Sequence, residues 1–152
     1  MFFFNMPSSD GASGLRDNYS LVEEFMRTKL LSPRIVLLIE DDETFRSVIK
    51  MALEEAGCRV YEASDGVEGI ELFDELKDQI SGVMLDYQMP RLNGLEVFRH
   101  IRAKTKTLPV MFVTGYGDHP DLQEVPKIGV SMIAEKPISV EEIEMFVQAI
   151  TE

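Results

Sequence analysis

Short apolar runs alternate with segments of helical periodicity from Arg34 to the end of the chain. The runs that have the length of β-strands are residues 34–40, 58–63, 80–86, 108–114 and 130–135. Two of them, Ile35–Ile39 and Val110–Val113, are continuously apolar, as expected for strands that are buried on both faces in the middle of a sheet. Strands that alternate with helices predict an α/β fold with a parallel sheet covered by crossover helices.

Apolar residues spaced three and four apart predict the helices between these strands. Three such sets each line one face of a helix: Phe45, Val48, Ile49, Ala52, Leu53 and Ala56; Val67, Ile70, Phe73 and Leu76; and Val140, Ile143, Phe146 and Ile150. Gly57 ends the first helix. Asp65 with Glu68, and Ser139 with Glu142, predict capping boxes or close relatives of them at the starts of the other two.

Two segments predict less regular structure. Residues 118–127 lie around Pro120 and Pro126 and have few apolar side chains, so we expect only one or two helical turns there. Residues 5–19 are rich in polar residues, Gly and Pro and predict a flexible tail, followed by a short helix at about residues 20–31. We therefore expect residues 1–33 to form a tail with a short helix, and residues 34–152 to form one domain.

Composition and charge narrow the range of functions. The chain has 152 residues, of which 45% are hydrophobic, and this allows one substantial core. Its formal net charge of -12 argues against nucleic-acid binding, which requires an excess of basic residues. No apolar run approaches the length of a membrane span, and Cys58 is the only cysteine, so we expect a cytoplasmic protein that has no disulfide and a buried thiol.

Polar residues stand at the carboxyl ends of four predicted strands. Because these ends meet at one edge of a parallel sheet, the side chains there are expected to face one crevice: Glu40 and Asp41, Asp86, Thr114, and Lys136. Three carboxylates held close together repel one another unless a cation lies between them. The ligands offered are all oxygens, which favours Mg²⁺ over zinc or copper.

This set of groups is suited to the transfer of a phosphoryl group onto aspartate. The reaction needs a carboxylate nucleophile, a metal that offsets phosphate charge, a hydroxyl donor and a cation. Each residue alone has an ordinary structural explanation, since Asp41 and Asp42 can begin a helix and Thr114 can be a strand residue. Their joint placement at the strand ends favours a site.

Four stretches of the sequence, taken together, resemble the receiver domains of bacterial two-component systems. They are Val36–Glu43, Leu85–Gly94, Val113–Gly115 and Glu135–Pro137, and the resemblance covers roughly Arg34 to Glu152. It implies a flavodoxin-like, doubly wound parallel sheet of five strands in the order 2-1-3-4-5, with helices on both faces. It also implies a helix that begins at Gly94 and a cis peptide bond at Lys136-Pro137.

The resemblance implies a role for each residue of the crevice. Asp86 would accept a phosphoryl group from a phosphohistidine of a sensor histidine kinase or a histidine phosphotransfer protein. Mg²⁺ would be bound by Asp41, Asp86 and the backbone carbonyl of Gln88, and by Glu40 through water. Thr114 and Lys136 would each bind a phosphoryl oxygen, and the small Gly115 would leave room for the group.

The resemblance also predicts how the signal leaves the protein. Phosphorylation would shift an equilibrium between two conformations and so change the affinity for another protein. Since the sequence ends with the last helix, we expect a stand-alone, chemotaxis-type receiver that acts on a separate protein target, with a homodimer as a further possibility. Many receivers have an aromatic residue three positions before the lysine, but this chain has Ile133, which puts the usual output route in doubt.

Other functions remain open at this point. A receiver-like interaction module would keep the fold without being phosphorylated. A flavodoxin-type FMN carrier shares the sheet order, but the acidic residues Glu40–Glu43 would repel its phosphate. A phosphatase with an aspartyl intermediate would need a second aspartate two residues after the first, where this chain has Gln88.

Tyr116, two residues after Thr114, generates one prediction. Its bulk would shield a phosphoryl group from water, so we expect the phosphorylated wild type to decay more slowly than Tyr116→Ala. The decay can be followed by the loss of the phosphorylated band after removal of the phosphodonor. A faster decay in the wild type would contradict the prediction.

Overall fold

The computed structural model describes residues 18–24, 26, 33–115, 123 and 131–151. The chain divides into two units, Met1–Pro33 and Arg34–Glu152. In the first unit residues 18–24 and residue 26 are helical, so the helix includes residues 18 and 19, which were predicted as the end of the tail. The rest of the predicted tail and the other residues of the predicted 20–31 helix lie outside the described residues. So do Tyr116 and the predicted turns at 118–127, except for Gln123. None of the described helices is both long enough and apolar enough to span a bilayer.

Strands and helices alternate in the described part of the second unit. In chain order they are β1 (Arg34–Ile39), α1 (Glu43–Glu55), β2 (Cys58–Ala63), α2 (Gly66–Leu76), β3 (Gly82–Asp86), α3 (Gly94–Lys104), β4 (Val110–Thr114), β5 (Ser131–Glu135) and α4 (Val140–Thr151). All strand pairs are parallel, and the sheet order is β2-β1-β3-β4-β5. The predicted fold class and strand order are confirmed. Two predicted strands, 80–86 and 108–114, were two residues too long at their starts, and the first ran one residue too far, to Glu40.

The middle of the sheet is β3, not the two continuously apolar strands. β1 and β4 are interior strands that flank it, and all five residues of β3 are buried. Its apolar run is short because Gly82 begins the strand and Asp86 ends it. The pattern of apolar residues therefore identified interior strands but not the central one.

Alternate side chains of the interior strands point into two separate cores. One core lies between the sheet and α2 and α3, and its buried residues from the interior strands are Leu37, Ile39, Val83, Leu85, Val110 and Phe112. The other lies between the sheet and α1 and α4, and its buried residues from the interior strands are Val36, Leu38, Met84, Met111 and Val113. Helices thus cover both faces of the sheet, as the resemblance implied, and Cys58 is buried in the second core.

Not every apolar residue of the predicted helix faces is buried. Val48 and Val140 are 59% and 66% exposed. The buried residues of α1 are Ile49 and Leu53, and Val48 lies one position, or about 100° around the helix, from Ile49. The expected stripe was therefore too wide, and Ala56 is exposed because it caps α1 instead of continuing it.

The predicted helix starts are largely correct. At α4 the Ser139 hydroxyl accepts a hydrogen bond from the Glu142 amide (3.1 Å), and the Glu142 carboxylate accepts one from the Ser139 amide (3.0 Å), so this capping box is complete. At α2 only half of the box is present, because the Asp65 carboxylate accepts from the Glu68 amide (2.8 Å) while the Glu68 carboxylate accepts from a serine hydroxyl. The helix α3 begins at Gly94, as the resemblance implied. Asn93 and Glu96 form a complete capping box at its start, which was not predicted.

Gly82 allows α4 to pack closely against the central strand. A β-carbon at this position would lie 2.5 Å from Ile150 and 2.9 Å from Phe146. We expect Gly82→Ala to lower the free energy of unfolding by roughly 1–3 kcal/mol, because two core side chains must move. Urea unfolding measures this change.

Gly115→Ala is a matched control, since a β-carbon there would have no neighbour within 4 Å. It should leave the free energy of unfolding within about 0.5 kcal/mol of the wild type. Equal losses in the two variants would show that crowding against α4 is not the cause.

Candidate functional site

Three carboxylates lie together where β1 and β3 end. Glu40 and Asp41 directly follow β1, and Asp86 is the last residue of β3. One carboxylate oxygen of each residue lies within 4.8 Å of the others. Glu40 and Asp86 are buried and Asp41 is exposed, so the cluster opens to solvent on the Asp41 side.

Two hydrogen bonds between the Glu40 backbone and neighbouring elements hold Glu40 in place. Its amide donates to the carbonyl of Ala63 at the end of β2 (3.0 Å), and its carbonyl accepts from the Arg46 guanidinium on α1 (2.8 Å). Arg46 is itself fixed by Glu62, whose carboxylate accepts from Arg46 Nε at 3.2 Å. Lys50 donates to the other oxygen of Glu62 at 2.9 Å. The end of β1 is therefore anchored to both β2 and α1.

The adjacent residues Asp41 and Asp42 have different tasks. The Asp42 carboxylate accepts a hydrogen bond from the Phe45 amide (2.9 Å) and caps α1. The Asp41 carboxylate belongs to the acidic cluster. Helix capping therefore explains Asp42 but not Asp41.

The loop after Asp86 folds back tightly onto the end of β3. The Gly94 amide donates to the Tyr87 carbonyl at 2.7 Å. A β-carbon at Gly94 would overlap the Asp86 carbonyl oxygen, so glycine is required where α3 begins. Gln88 is an exposed residue of this loop, two positions after Asp86, and its role as a ligand stays a prediction.

Lys136 directly follows β5, and Thr114 is the last residue of β4. The Lys136 ammonium lies 2.6 Å from Glu40 Oε1 and 3.5 Å from Asp86 Oδ1. Thr114 is buried at the end of β4, and its carbonyl accepts from the Lys136 amide at 2.9 Å. The peptide bond between Lys136 and Pro137 is cis, as the resemblance implied.

Burial and charge give the site its electrostatic character. Burial, with the close carboxylates of Glu40 and Asp41, raises the pKa of Asp86 from its ordinary 3.8 to about 8, although Lys136 opposes the shift. Burial alone would lower the pKa of Lys136, but Glu40 and Asp86 raise it above its ordinary value. Without a further cation, the cluster thus favours a proton on Asp86 and a charged Lys136.

The described groups fit a hard divalent cation. Glu40 Oε2 is buried and has no hydrogen-bond partner among the described residues. A buried carboxylate oxygen of this kind needs a donor or a cation. The cluster offers only carboxylate oxygens, which Mg²⁺ and Ca²⁺ prefer.

Two residues of α1 that contact the site were not predicted to do so. Arg46 binds the Glu40 carbonyl, and the ring of Phe45 lies against Lys136. Phe45 was predicted only as part of the buried helix face. Arg46 carried no signal, because a basic residue in the second turn of a helix is ordinarily a surface residue.

A model of the response regulator receiver domain matches residues 36–148. The chain belongs to the response regulator receiver family. The resemblance found in the sequence is thereby confirmed, and this part of the chain is a phosphoacceptor receiver of two-component signalling. The family match also separates it from flavodoxin-type carriers, which share its sheet order.

Individual relatives agree with this receiver assignment. The Regulator of RpoS of Escherichia coli (strain K12) is 29% identical over 111 residues, which are 73% of this chain and 32% of that protein. This receiver therefore spans about a third of the length of that relative. A response regulator receiver domain protein from Clostridium thermocellum is 31% identical with a TM-score of 0.73, and the match covers 78% of this chain and 94% of that one.

A more distant structure shares the fold. The CheX-CheY-BeF3-Mg²⁺ complex from Borrelia burgdorferi contains a chain that is 20% identical to this receiver, with a TM-score of 0.72. The match covers 79% of this receiver and 90% of that chain.

The raised pKa of Asp86 makes the stability of this receiver depend on pH in a specific way. Its folded pKa of about 8 lies above the unfolded value of 3.8, so the stabilising effect of the protonated carboxyl is complete below pH 3.8 and is lost as the pH rises through 8. Asparagine does not titrate. In EDTA we therefore expect Asp86→Asn to become more stable than the wild type as the pH rises from about 4 to about 8, by roughly 1 kcal/mol or more.

Urea unfolding of both proteins at several pH values measures this difference. Asp78→Asn, at an exposed position, controls for the loss of a negative charge and should follow the wild type. A stability difference between Asp86→Asn and the wild type that does not change with pH would contradict the expectation.

Proposed function

We propose that Asp86 is the phosphoacceptor, that the reaction requires Mg²⁺, and that the phosphodonor is a phosphohistidine of a sensor histidine kinase or a histidine phosphotransfer protein. The observation that carries the proposal is the contact of a buried aspartate with two further carboxylates and one ammonium at the end of the central strand. In this arrangement a carboxylate nucleophile lies within reach of the groups that would bind the incoming phosphoryl oxygens.

Different residues of the site would bind the metal and the phosphoryl group. Asp41, Asp86 and the Gln88 backbone carbonyl would bind Mg²⁺, and Glu40 would bind it through water. Bound there, Mg²⁺ would supply positive charge that offsets the charge of the phosphoryl oxygens and favours the ionised form of Asp86.

Lys136 supports the same reaction from the other side. Its ammonium is closer to Glu40 than to Asp86 in the described state, at 2.6 Å against 3.5 Å. After transfer, a phosphoryl oxygen on Asp86 would compete with Glu40 for this ammonium. The hydroxyl of Thr114 would donate to another phosphoryl oxygen.

The output we propose is a changed affinity for a separate protein. Phosphorylation would favour one of two arrangements of the chain around Thr114. Ile133, which stands where many receivers have an aromatic switch residue, is 40% exposed on β5, so the outward signal would use other contacts. The protein would be a signalling switch and not a turnover enzyme, and homodimerisation and a cytoplasmic location stay predictions.

Phosphorylation by a small-molecule donor tests the proposal directly. The wild type incubated with acetyl phosphate and Mg²⁺ should give a retarded band on a phosphate-affinity gel, and EDTA should abolish it. Asp86→Asn should give no retarded band, because the nucleophile is absent. Asp78→Asn, the exposed control, should be phosphorylated like the wild type.

A wild type that is never retarded, with acetyl phosphate or with a kinase, would instead identify a receiver-like module that is not phosphorylated. Retardation that persists in Asp86→Asn would show that another residue is the acceptor. Either result would overturn the proposal.

Asp41 and Asp42 provide a matched pair for testing the metal site. Asp41→Asn should weaken Mg²⁺ binding by roughly tenfold or more, since it removes a charged ligand. Asp42→Ala should leave Mg²⁺ affinity near that of the wild type and lower the free energy of unfolding by about 1 kcal/mol, because it removes the cap of α1.

Mg²⁺ titrations monitored by calorimetry or amide chemical shifts, together with urea unfolding, give both quantities. Equal losses of Mg²⁺ affinity in the two variants would refute the assignment of separate roles.

A further inference from the structure

The Lys136 ammonium has an aromatic neighbour in addition to its two carboxylates. Its Nζ atom lies 4.6 Å from the centroid of the Phe45 ring, above the face of the ring. Glu40 lies at 2.6 Å and Asp86 at 3.5 Å. The Lys136 side chain is 27% exposed.

The Phe45 ring is held firmly in this position. The Phe45 amide donates to the Asp42 carboxylate at 2.9 Å, which fixes the residue in the first turn of α1. Its side chain packs partly buried against the core between the sheet and α1 and α4. The ring is therefore an anchored surface against which a flexible lysine can rest.

The three attractions on Lys136 respond differently to phosphorylation. Its attraction to Glu40 and Asp86 depends on their negative charge, which a bound cation and a phosphoryl group redistribute. Its attraction to the ring arises from the quadrupole of the aromatic system, which these events leave unchanged. Of these three attractions, the one to the Phe45 ring is thus the one that does not depend on the charge of a carboxylate.

We propose that Phe45 is a positioning residue for Lys136, holding the ammonium beside Asp86 so that it is already in place for the phosphoryl oxygen. This inference rests on the proposed function of Lys136. Leucine would fill part of the same space, yet it lacks the π-face. The inference therefore predicts that aromaticity at this position, and not apolar volume alone, sets the affinity for the phosphoryl group.

The test compares Phe45→Leu and Phe45→Tyr with the wild type in the full chain. Beryllofluoride with Mg²⁺ serves as the phosphoryl mimic, and its half-saturation is measured by amide chemical shifts. Phe45→Leu should weaken beryllofluoride binding roughly two- to fivefold, and Phe45→Tyr should retain the wild-type affinity. The affinity for Mg²⁺ alone should change in neither variant.

Phe73→Leu is the matched control. It makes the same chemical change in the core on the opposite face of the sheet, and it should leave beryllofluoride affinity unchanged. Equal weakening in Phe73→Leu and Phe45→Leu would show a general loss of packing and would overturn the inference. So would a Phe45→Tyr variant as weak as Phe45→Leu.

A second readout does not depend on phosphorylation. In the metal-free wild type the Lys136 ε-methylene protons should be shifted upfield by the ring, and this shift should be lost in Phe45→Leu and kept in Phe45→Tyr. Unshifted protons in the wild type would overturn the inference. A wild type with these shifted protons but no beryllofluoride binding would refute the proposed function while supporting the contact between Phe45 and Lys136.

Discussion

Mutual repulsion among Glu40, Asp41 and Asp86 is the constraint on which the rest of this structure depends. Two of these carboxylates are buried, and the fold brings all three close together although each favours separation. Lys136 partly offsets the repulsion by lying against Glu40. The hydrogen bonds from β2 and α1 to the backbone of Glu40, and the tight turn at Gly94, keep the acidic groups from moving apart. The hydrogen bonds around the strand ends thus maintain an arrangement that is unfavourable when all three carboxylates are charged and no cation is bound.

The parallel sheet was predictable because strands with two buried faces appear in the sequence as short apolar runs, whereas the strand order was implied by the resemblance to receiver domains. The convergence of Glu40, Asp41, Asp86 and Lys136 was equally predictable, since it requires only that strand ends share one edge. The central position of β3 was less evident in the sequence, because Gly82 and Asp86 shorten its apolar run. Val48 was placed on the buried face of its helix although it is exposed, because a spacing of three and four does not define the width of a face.

Other features could not be inferred, for physical reasons that concern particular residues. Asp41 and Asp42 have identical side chains, so the residue pattern alone does not show which one caps α1; only the resemblance assigned Asp41 to the metal site. Phe45 satisfies the pattern of a core residue while its ring also contacts an ammonium from a strand far along the chain. Arg46 binds the backbone carbonyl of Glu40. Every residue has such a carbonyl, so the side chain of the partner gives no sign of this contact. The observed site thus differs from the predicted one in contacts that are made between different elements of the fold.

The hydrogen bond between the Lys136 amide and the Thr114 carbonyl has a wider consequence. It continues the pairing of β4 with β5, whose last pair is Thr114 with Glu135, so Thr114 and Lys136 are held together by the edge of the sheet. A displacement of one of these two residues would therefore be transmitted to the other. The hydroxyl and the ammonium beside the acceptor would in this way respond to a perturbation as one unit.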